Sequence, residues 1–209
     1  MSTVEEFAKS RKIGVLVHFT RVENLGGILA HGLLPRTEFH AYGVAPLLTD
    51  EMRLDSCLEA SSLSIGFPNY KMFFYCQKNI PDANWVVVVY KASILWEKKC
   101  AFCTENAAKG SVTAIPVSDR MTPRAFEAMF AEAEGKPNRK QLGLDEGLPT
   151  NPQAEVLVFE RIEPAYVIGV AFKEQVLVDE HRVHFPGVPM KRLPGLFAPR
   201  VDYLHWKKS

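Results

Sequence analysis

Gln153-Ala154-Glu155-Val156-Leu157-Val158-Phe159 is the stretch on which the reading of this chain turns. Its apolar half, Val156 to Phe159, calls for a strand that is buried. In extended backbone successive side chains point to opposite faces, so Gln153 and Glu155 project to one side and Ala154 to the other. An amide and a carboxylate at the mouth of a buried strand are either an edge facing solvent or the polar lip of a cleft. Ahead of them, Gly135 to Pro152 is polar, lacks periodicity and carries Pro149 and Pro152 just before Gln153. That segment reads as a long loop delivering the chain into the strand, and loops of this length in compact domains are often functional.

Working outward, Gly14-Val15-Leu16-Val17-His18-Phe19 is an apolar run of strand length. It breaks at Thr20, where Thr20-Arg21-Val22-Glu23 matches a capping box, with Thr20 at the N-cap and Glu23 at N3. Val22, Leu25, Ile28 and Leu29 then share one helical face, and Gly32 supplies a stop. A second unit is expected as a helix over Ser56 to Ile65, a turn at Gly66-Phe67-Pro68-Asn69 and a strand from Lys71 to Cys76. Trp85 to Tyr90 is continuous and rich in valine, hence a central strand. Cys100 to Thr104, Ser111 to Ile115, Glu155 to Phe159, Val167 to Phe172 and Gln175 to Val178 are further strands. Thr122-Pro123 opens a helix whose Phe126, Met129, Phe130 and Ala133 form a core stripe ending at Gly135. Strands outnumber helices and do not alternate with them, which predicts an α+β fold with a mostly antiparallel sheet.

The chain has 209 residues, the size of one domain. A core over about residues 13–180 is followed by a basic C-terminal extension over 181–209. The composition, 47% hydrophobic and 23% charged, excludes disorder and disulfide scaffolds. A net charge of +1 excludes a uniformly basic nucleic-acid coat. The N-terminal residues lack a basic and apolar leader, and the longest apolar run, Trp85 to Tyr90, is too short to span a bilayer. A cytoplasmic protein with free thiols is expected, with no membrane association. Cys100-Ala101-Phe102-Cys103 has the spacing of half a zinc site, but Cys57 and Cys76 stand alone, so the cysteines read as buried thiols and no metal is expected. No Rossmann or P-loop glycine motif, G-x-S-x-G or H-E-x-x-H occurs.

Two motifs resemble one family. Leu16-Val17-His18-Phe19-Thr20-Arg21-Val22-Glu23-Asn24-Leu25, continuing through Gly26 to Leu33, is similar to the opening motif of the DarT toxins, which ADP-ribosylate DNA bases. Gln153-Ala154-Glu155-Val156-Leu157-Val158 resembles that family's Q-A-E strand, and the likeness extends from about Val15 to Phe172. It implies an ADP-ribosyltransferase-type split sheet, mostly antiparallel, with peripheral helices and an NAD cleft. His18 and Thr20 would hold the nicotinamide end of NAD, with Asn24 facing the same cleft. Glu155 would hydrogen-bond a ribose hydroxyl and stabilise oxocarbenium character as nicotinamide leaves. Gln153 would orient the acceptor base. Arg53, placed by order along the chain, would promote loss of the acceptor's proton. Tyr70 and Phe73 are either stacking surfaces for nicotinamide or a flipped base, or core aromatics. Where the family carries S-D-G-H-A, this chain reads Thr104-Glu105-Asn106-Ala107-Ala108, with Ala107 in the histidine's place, which leaves the modified base open between thymine and guanine.

From His181 onward six basic residues (Arg182, Lys191, Arg192, Arg200, Lys207, Lys208) face one acidic one, Asp202, with Phe197, Tyr203 and Trp206 interleaved. Cations for phosphates and rings under bases suit single-stranded nucleic acid, and the same residues would also serve as a solvated terminal arm. Lys136, Arg139 and Lys140 add charge before Gln153, with Arg139 and Lys140 as substrate contacts. The expected function is NAD-dependent transfer of ADP-ribose to a nucleobase of single-stranded DNA, as the toxin of a toxin–antitoxin or phage-defence pair with a macrodomain antitoxin. RNA or protein as acceptor, or an inert nucleic-acid-binding module, are the competing readings.

Overall fold

Apolar runs in the sequence become strands β1 (Val15–Arg21), β2 (Ser61–Ile65), β3 (Trp85–Lys91), β4 (Cys100–Cys103), β5 (Glu155–Val158), β6 (Val167–Phe172) and β7 (Met190–Arg192). This computed structural model describes residues 2–48 and 57–207. The strands form one sheet in the order β4-β5-β2-β1-β3-β6-β7. Neighbours are antiparallel except β6 and β7, which run parallel. The valine run of β3 lies in the interior: Trp85 to Val88 and Tyr90 are all buried. Its alternate residues feed separate clusters, Val86 and Val88 into the larger and Val87 into a smaller one with Val17, Phe73 and Trp85.

The register contains the feature that makes a site. β1 pairs with β2 only at Leu16↔Ile65 and Val17↔Ser64. Beyond that point His18 to Arg21 pair with β3, while Ser61 to Leu63 pair with β5. The sheet therefore splits into two halves that share only the first residues of the β1–β2 ladder.

Helices pack around the sheet: α1 (Val4–Ser10), α2 (Leu25–His31), α3 (Tyr70–Asn79), α7 (Pro123–Ala128) and α8 (Gln175–Arg182), with single turns α4 (Ile94–Glu97), α5 (Gly110–Thr113) and α6 (Val117–Arg120) between. Among the described residues no helix is long and apolar enough to cross a membrane. α7 begins as its sequence asks, with the Thr122 hydroxyl accepting from Ala125 N at 3.2 Å. α1 carries the reciprocal cap that the Thr3-x-x-Glu6 pattern encodes: Thr3 Oγ1 accepts from Glu6 N and Glu6 Oε2 accepts from Thr3 N.

Several segments depart from expectation. Ser61–Ile65 is a strand, not the end of a helix. Tyr70–Asn79 is a helix, not a strand, because the Asn69 side chain accepts from Met72 N and starts a helical turn. Gly110–Thr113 is helical. Gln175 to Val178 opens α8, burying Val178 while Val176 stays exposed, which is a helical and not a sheet pattern. Thr20 remains in β1 and does not cap a helix; a short 3₁₀ turn, Val22–Asn24, intervenes before α2.

Gly32 ends α2 with φ of +89°, and a Cβ there would lie 2.3 Å from the Ile162 carbonyl oxygen. Gly32→Ala is expected to cost about 2 kcal/mol or more in urea unfolding. Gly26→Ala, inside α2 with only an ordinary 3.8 Å contact to Phe185, is expected to stabilise by about 0.5–1 kcal/mol.

Candidate active site in the sheet split

The diverging edges of β1 and β2 enclose a cleft of about 350 Å³, within the size range of small-molecule and cofactor sites. One wall is His18, Phe19 and Thr20 of β1 with residues of α2; the other is Ser61, Ser62 and Ser64 of β2 with Glu155 at the start of β5. His18 bridges the split: its Nδ1 lies 2.9 Å from the Ser62 carbonyl oxygen. A carbonyl only accepts, so Nδ1 carries the proton. A side chain thus takes over where the β1–β2 backbone ladder stops.

Glu155 is 6% exposed. Asn69 Nδ2 donates to its Oε1 at 3.2 Å, and the backbone N–H of Ala107 donates to Oε2 at 2.9 Å. Asn69 is fully committed: its amide oxygen caps α3 and its amide nitrogen holds the carboxylate. Burying a carboxylate is costly unless hydrogen bonds replace its water, and these two donors do so while fixing its orientation. Ala107 answers the departure noted in the sequence. Its methyl packs in an apolar cluster with Cys57, Cys103 and Leu157, and its backbone, not a side chain, reaches the carboxylate.

Thr20 and Asn24 also line the cleft. The Asn24 amide donates to Thr20 Oγ1 at 2.9 Å and to Leu47 O at 3.0 Å, and accepts from Leu47 N at 2.8 Å. Asn24 therefore ties a strap, Val44 to Leu48, to the mouth of the cleft. Arg36 is the sole Lys or Arg among the described cleft-lining residues.

The remaining expected site residues lie elsewhere. Phe73 is 1% exposed and stacks on Phe19 with ring centroids 4.4 Å apart, so it supports the cleft wall from behind. Tyr70 is half-buried and outside the cleft lining; burial, and then the nearby Asp202 charge, push its hydroxyl up to about 12. Gln153 does not share a strand with Glu155: it sits in the turn before β5, half-buried, its N–H donating to Asn151 Oδ1 at 2.9 Å. Arg139 braces the loop from within, donating to Thr150 Oγ1 at 2.8 Å and Asp145 O at 3.0 Å. Lys140 is exposed and outside the cleft lining. Arg53 lies outside the described residues. Sequence reading missed Asn69, Ala107 N–H and the strap. The Pro68-Asn69 step was a legible N-cap signal; the other two are contacts between distant segments.

All four cysteines are buried, and none is in a disulfide. Burial raises Cys100 to about 12 and Cys103 to about 11. No cluster of His, Cys, Asp or Glu among the described residues is arranged to hold a metal.

The basic tail is in part structural. Arg200 is 4% exposed and makes a two-point contact with Asp202, at 2.7 and 2.6 Å. It also donates to the carbonyls of Pro149 and Thr150 at 2.8 and 2.7 Å. Trp206 Nε1 donates to Asp202 at 2.7 Å, and Lys136 Nζ donates to His205 O. The tail is thus knotted to both ends of the loop that leads into Glu155.

A family model described as "ssDNA thymidine ADP-ribosyltransferase, DarT" matches residues 17–205. Among curated proteins no sequence matches the chain. Thermus sp. 2.9 DarT in complex with NAD+ is similar in structure, at 15% identity, TM-score 0.55, covering 90% of this chain and 98% of that one. The same Thermus protein in complex with ADP-ribosylated ssDNA gives 14% identity, TM-score 0.57, and 90% and 97% coverage. Thermosipho africanus DarTG in complex with ADP-ribose gives 15% identity and TM-score 0.58; it is covered over 88% of this chain, which spans about half (51%) of that one. At these identities the structural likeness concerns the fold.

The matched span takes in the Arg200 knot. Removing the guanidinium leaves the Asp202 carboxylate, 0% exposed, without its cation. Arg200→Ala is therefore expected to cost about 3–5 kcal/mol in denaturant unfolding, whereas Lys207→Ala, on an exposed residue, changes stability by less than about 0.5 kcal/mol.

Proposed function

The chain belongs to the DarT family of NAD-dependent ssDNA thymidine ADP-ribosyltransferases, and from that premise we propose how its own residues carry out the transfer. The buried, doubly hydrogen-bonded carboxylate of Glu155 in the sheet split is the observation that carries the reading. The bond from nicotinamide nitrogen to ribose C1′ breaks, nicotinamide leaves with the electron pair, and positive charge develops on the sugar. Glu155, accepting a hydrogen bond from a ribose hydroxyl, stabilises that charge as it appears. Asn69 and the Ala107 N–H keep the carboxylate from turning away, so little reorganisation is needed at the moment of reaction. A nitrogen of the thymine then bonds to C1′ and gives up its proton to solvent, a loss that Arg53 is expected to promote by stabilising the developing negative charge on the base.

His18 and Thr20 hold the nicotinamide–ribose end of the dinucleotide. The His18 ring is oriented by Ser62, which leaves Nε2 directed away from that bond. Asn24 acts on the donor through the strap it holds against the cleft mouth. The pyrophosphate needs a cation, and Arg36 supplies one among the described cleft residues. Gln153, Arg139 and Lys140 belong to the acceptor side, with Arg139 shaping the loop from inside. Phe73 backs Phe19, and Tyr70 packs toward the Arg200 knot.

In the cell this activity would serve as a toxin held in check by an antitoxin. The Thermosipho DarTG chain carries a name that joins the two components, and a macrodomain, which binds ADP-ribose, is the expected antagonist. The chemistry points to a compartment that holds both NAD and DNA, in keeping with a cytoplasmic enzyme.

Labelled NAD incubated with thymidine-containing single-stranded DNA is expected to transfer label to the oligonucleotide. Glu155→Gln is expected to lower the rate by about 10²–10³-fold with an unchanged circular dichroism spectrum. Label on RNA or on protein alone would overturn the acceptor assignment, and an unaffected Glu155→Gln rate would overturn the mechanism.

A further inference from the structure

Resting on that reading and going beyond the reacting base, we propose that the exposed face of α3 is a track for the acceptor strand, binding nucleotides that flank the target thymidine through Lys71, Phe74, Tyr75 and Lys78. Positions i, i+3, i+4 and i+7 of a helix share one face, and from Lys71 to Lys78 this face runs about 10 Å. Phe74 and Tyr75 are 64% and 65% exposed, although the same helix buries Phe73 and Cys76. Two adjacent large rings in solvent are a costly surface unless something covers them.

The helix is aimed at the reactive centre. Asn69, its N-cap, touches the Glu155 carboxylate, and Met72 lines the cleft. The stripe therefore begins two residues from a contact to Glu155 and leads away from it. Its charge fits a polyanion. Burial, and then the charges of Lys136 and Lys109, lower the Lys71 ammonium below the usual lysine range. Of those two neighbours, Lys109 is ion-paired with Glu105 and Lys136 donates to the His205 carbonyl, so Lys71 and Lys78 are the helix's own cations on this face. Lys109 follows the Ala107 that holds Glu155, and Lys136 starts the loop that leads to β5. Lysines for phosphates alternating with rings for bases are what a single strand of DNA needs, and such stacking tolerates any sequence. A protein partner for an aromatic patch has no comparable use for the lysines that bracket it, Lys71 and Lys78, on the same helix face.

Fluorescence anisotropy with a labelled single-stranded 12-mer tests the track. Phe74→Ala and Tyr75→Ala are each expected to raise Kd about 10-fold or more. Lys71→Gln is expected to reduce the slope of log Kd against log salt by about 0.7, the loss of one phosphate contact on a single strand. Phe74→Trp keeps a planar ring and is expected to retain parental affinity, with its fluorescence quenched on adding the oligonucleotide. Unchanged Kd and salt slope in the alanine and glutamine variants, or an unquenched tryptophan at saturating DNA, overturns the track. The two proposals fail separately: a parent protein that labels no DNA sinks the functional reading, whereas a parent that labels DNA with α3 variants of equal affinity sinks only the track.

Discussion

The cleft exists because the β1–β2 ladder stops after two residue pairs and a histidine replaces its continuation. A backbone ladder left unfinished inside a protein exposes carbonyls and amides that must find other partners. His18 meets one of those needs at Ser62, Thr20 and Asn24 organise the β1 wall, and the serines of β2 keep the facing edge polar. The same act of pairing fixes the imidazole tautomer and separates the two halves of the sheet. Nothing else in the fold would place a residue of β1 and the first residue of β5 around one space, since β2 lies between those strands in the sheet order.

Within that space, desolvation governs the acidic group. The carboxylate of Glu155 sits at the edge of a strand buried on both faces, where water cannot stabilise it. Among the described residues, donors that replace water come from the N-cap of α3 and the turn after β4, and both act through groups that a helix or turn makes rigid. This explains how Ala107 can stand where a histidine was expected: the structural demand at that point is for a backbone N–H and a small side chain that packs against Leu157 and Cys103. A histidine there would be a second polar device, and the carboxylate is already held without it.

The sequence was most legible where long-range context matters least. The strands at Val15, Trp85, Cys100, Glu155 and Val167 follow from runs of apolar and β-branched residues, and Thr122-Pro123 carried its own cap. Short apolar runs without that context failed. Met72-Phe73-Phe74-Tyr75 looks like a strand by composition, and only the cap at Asn69 and the outward turn of Phe74 and Tyr75 make it a helix. Thr20 matched a capping pattern, yet pairing with β3 across all seven residues of β1 outweighed one side-chain cap. At the site, His18, Thr20, Asn24 and Glu155 were visible as motif residues, and they do line one cleft. Ala107 and the strap at Leu47 were invisible because each matters through a contact made across the chain, and Asn69, legible as a cap, gave no sign of its hold on Glu155.

The C-terminal charge shows the same limit from the other side. Counting cations along 181–209 suggests an arm for nucleic acid, but a count gives equal weight to Lys207 in solvent and Arg200 in the interior. Arg200 spends its guanidinium on Asp202 and on two carbonyls at the end of the long loop, and Lys136 spends its ammonium on His205 at the start of it. A loop from Gly135 to Pro152 without sheet pairing loses much backbone entropy on ordering, and tertiary bonds at its ends offset part of that cost where it matters for β5. The position of Glu155 is thereby coupled to a segment almost fifty residues further along the chain.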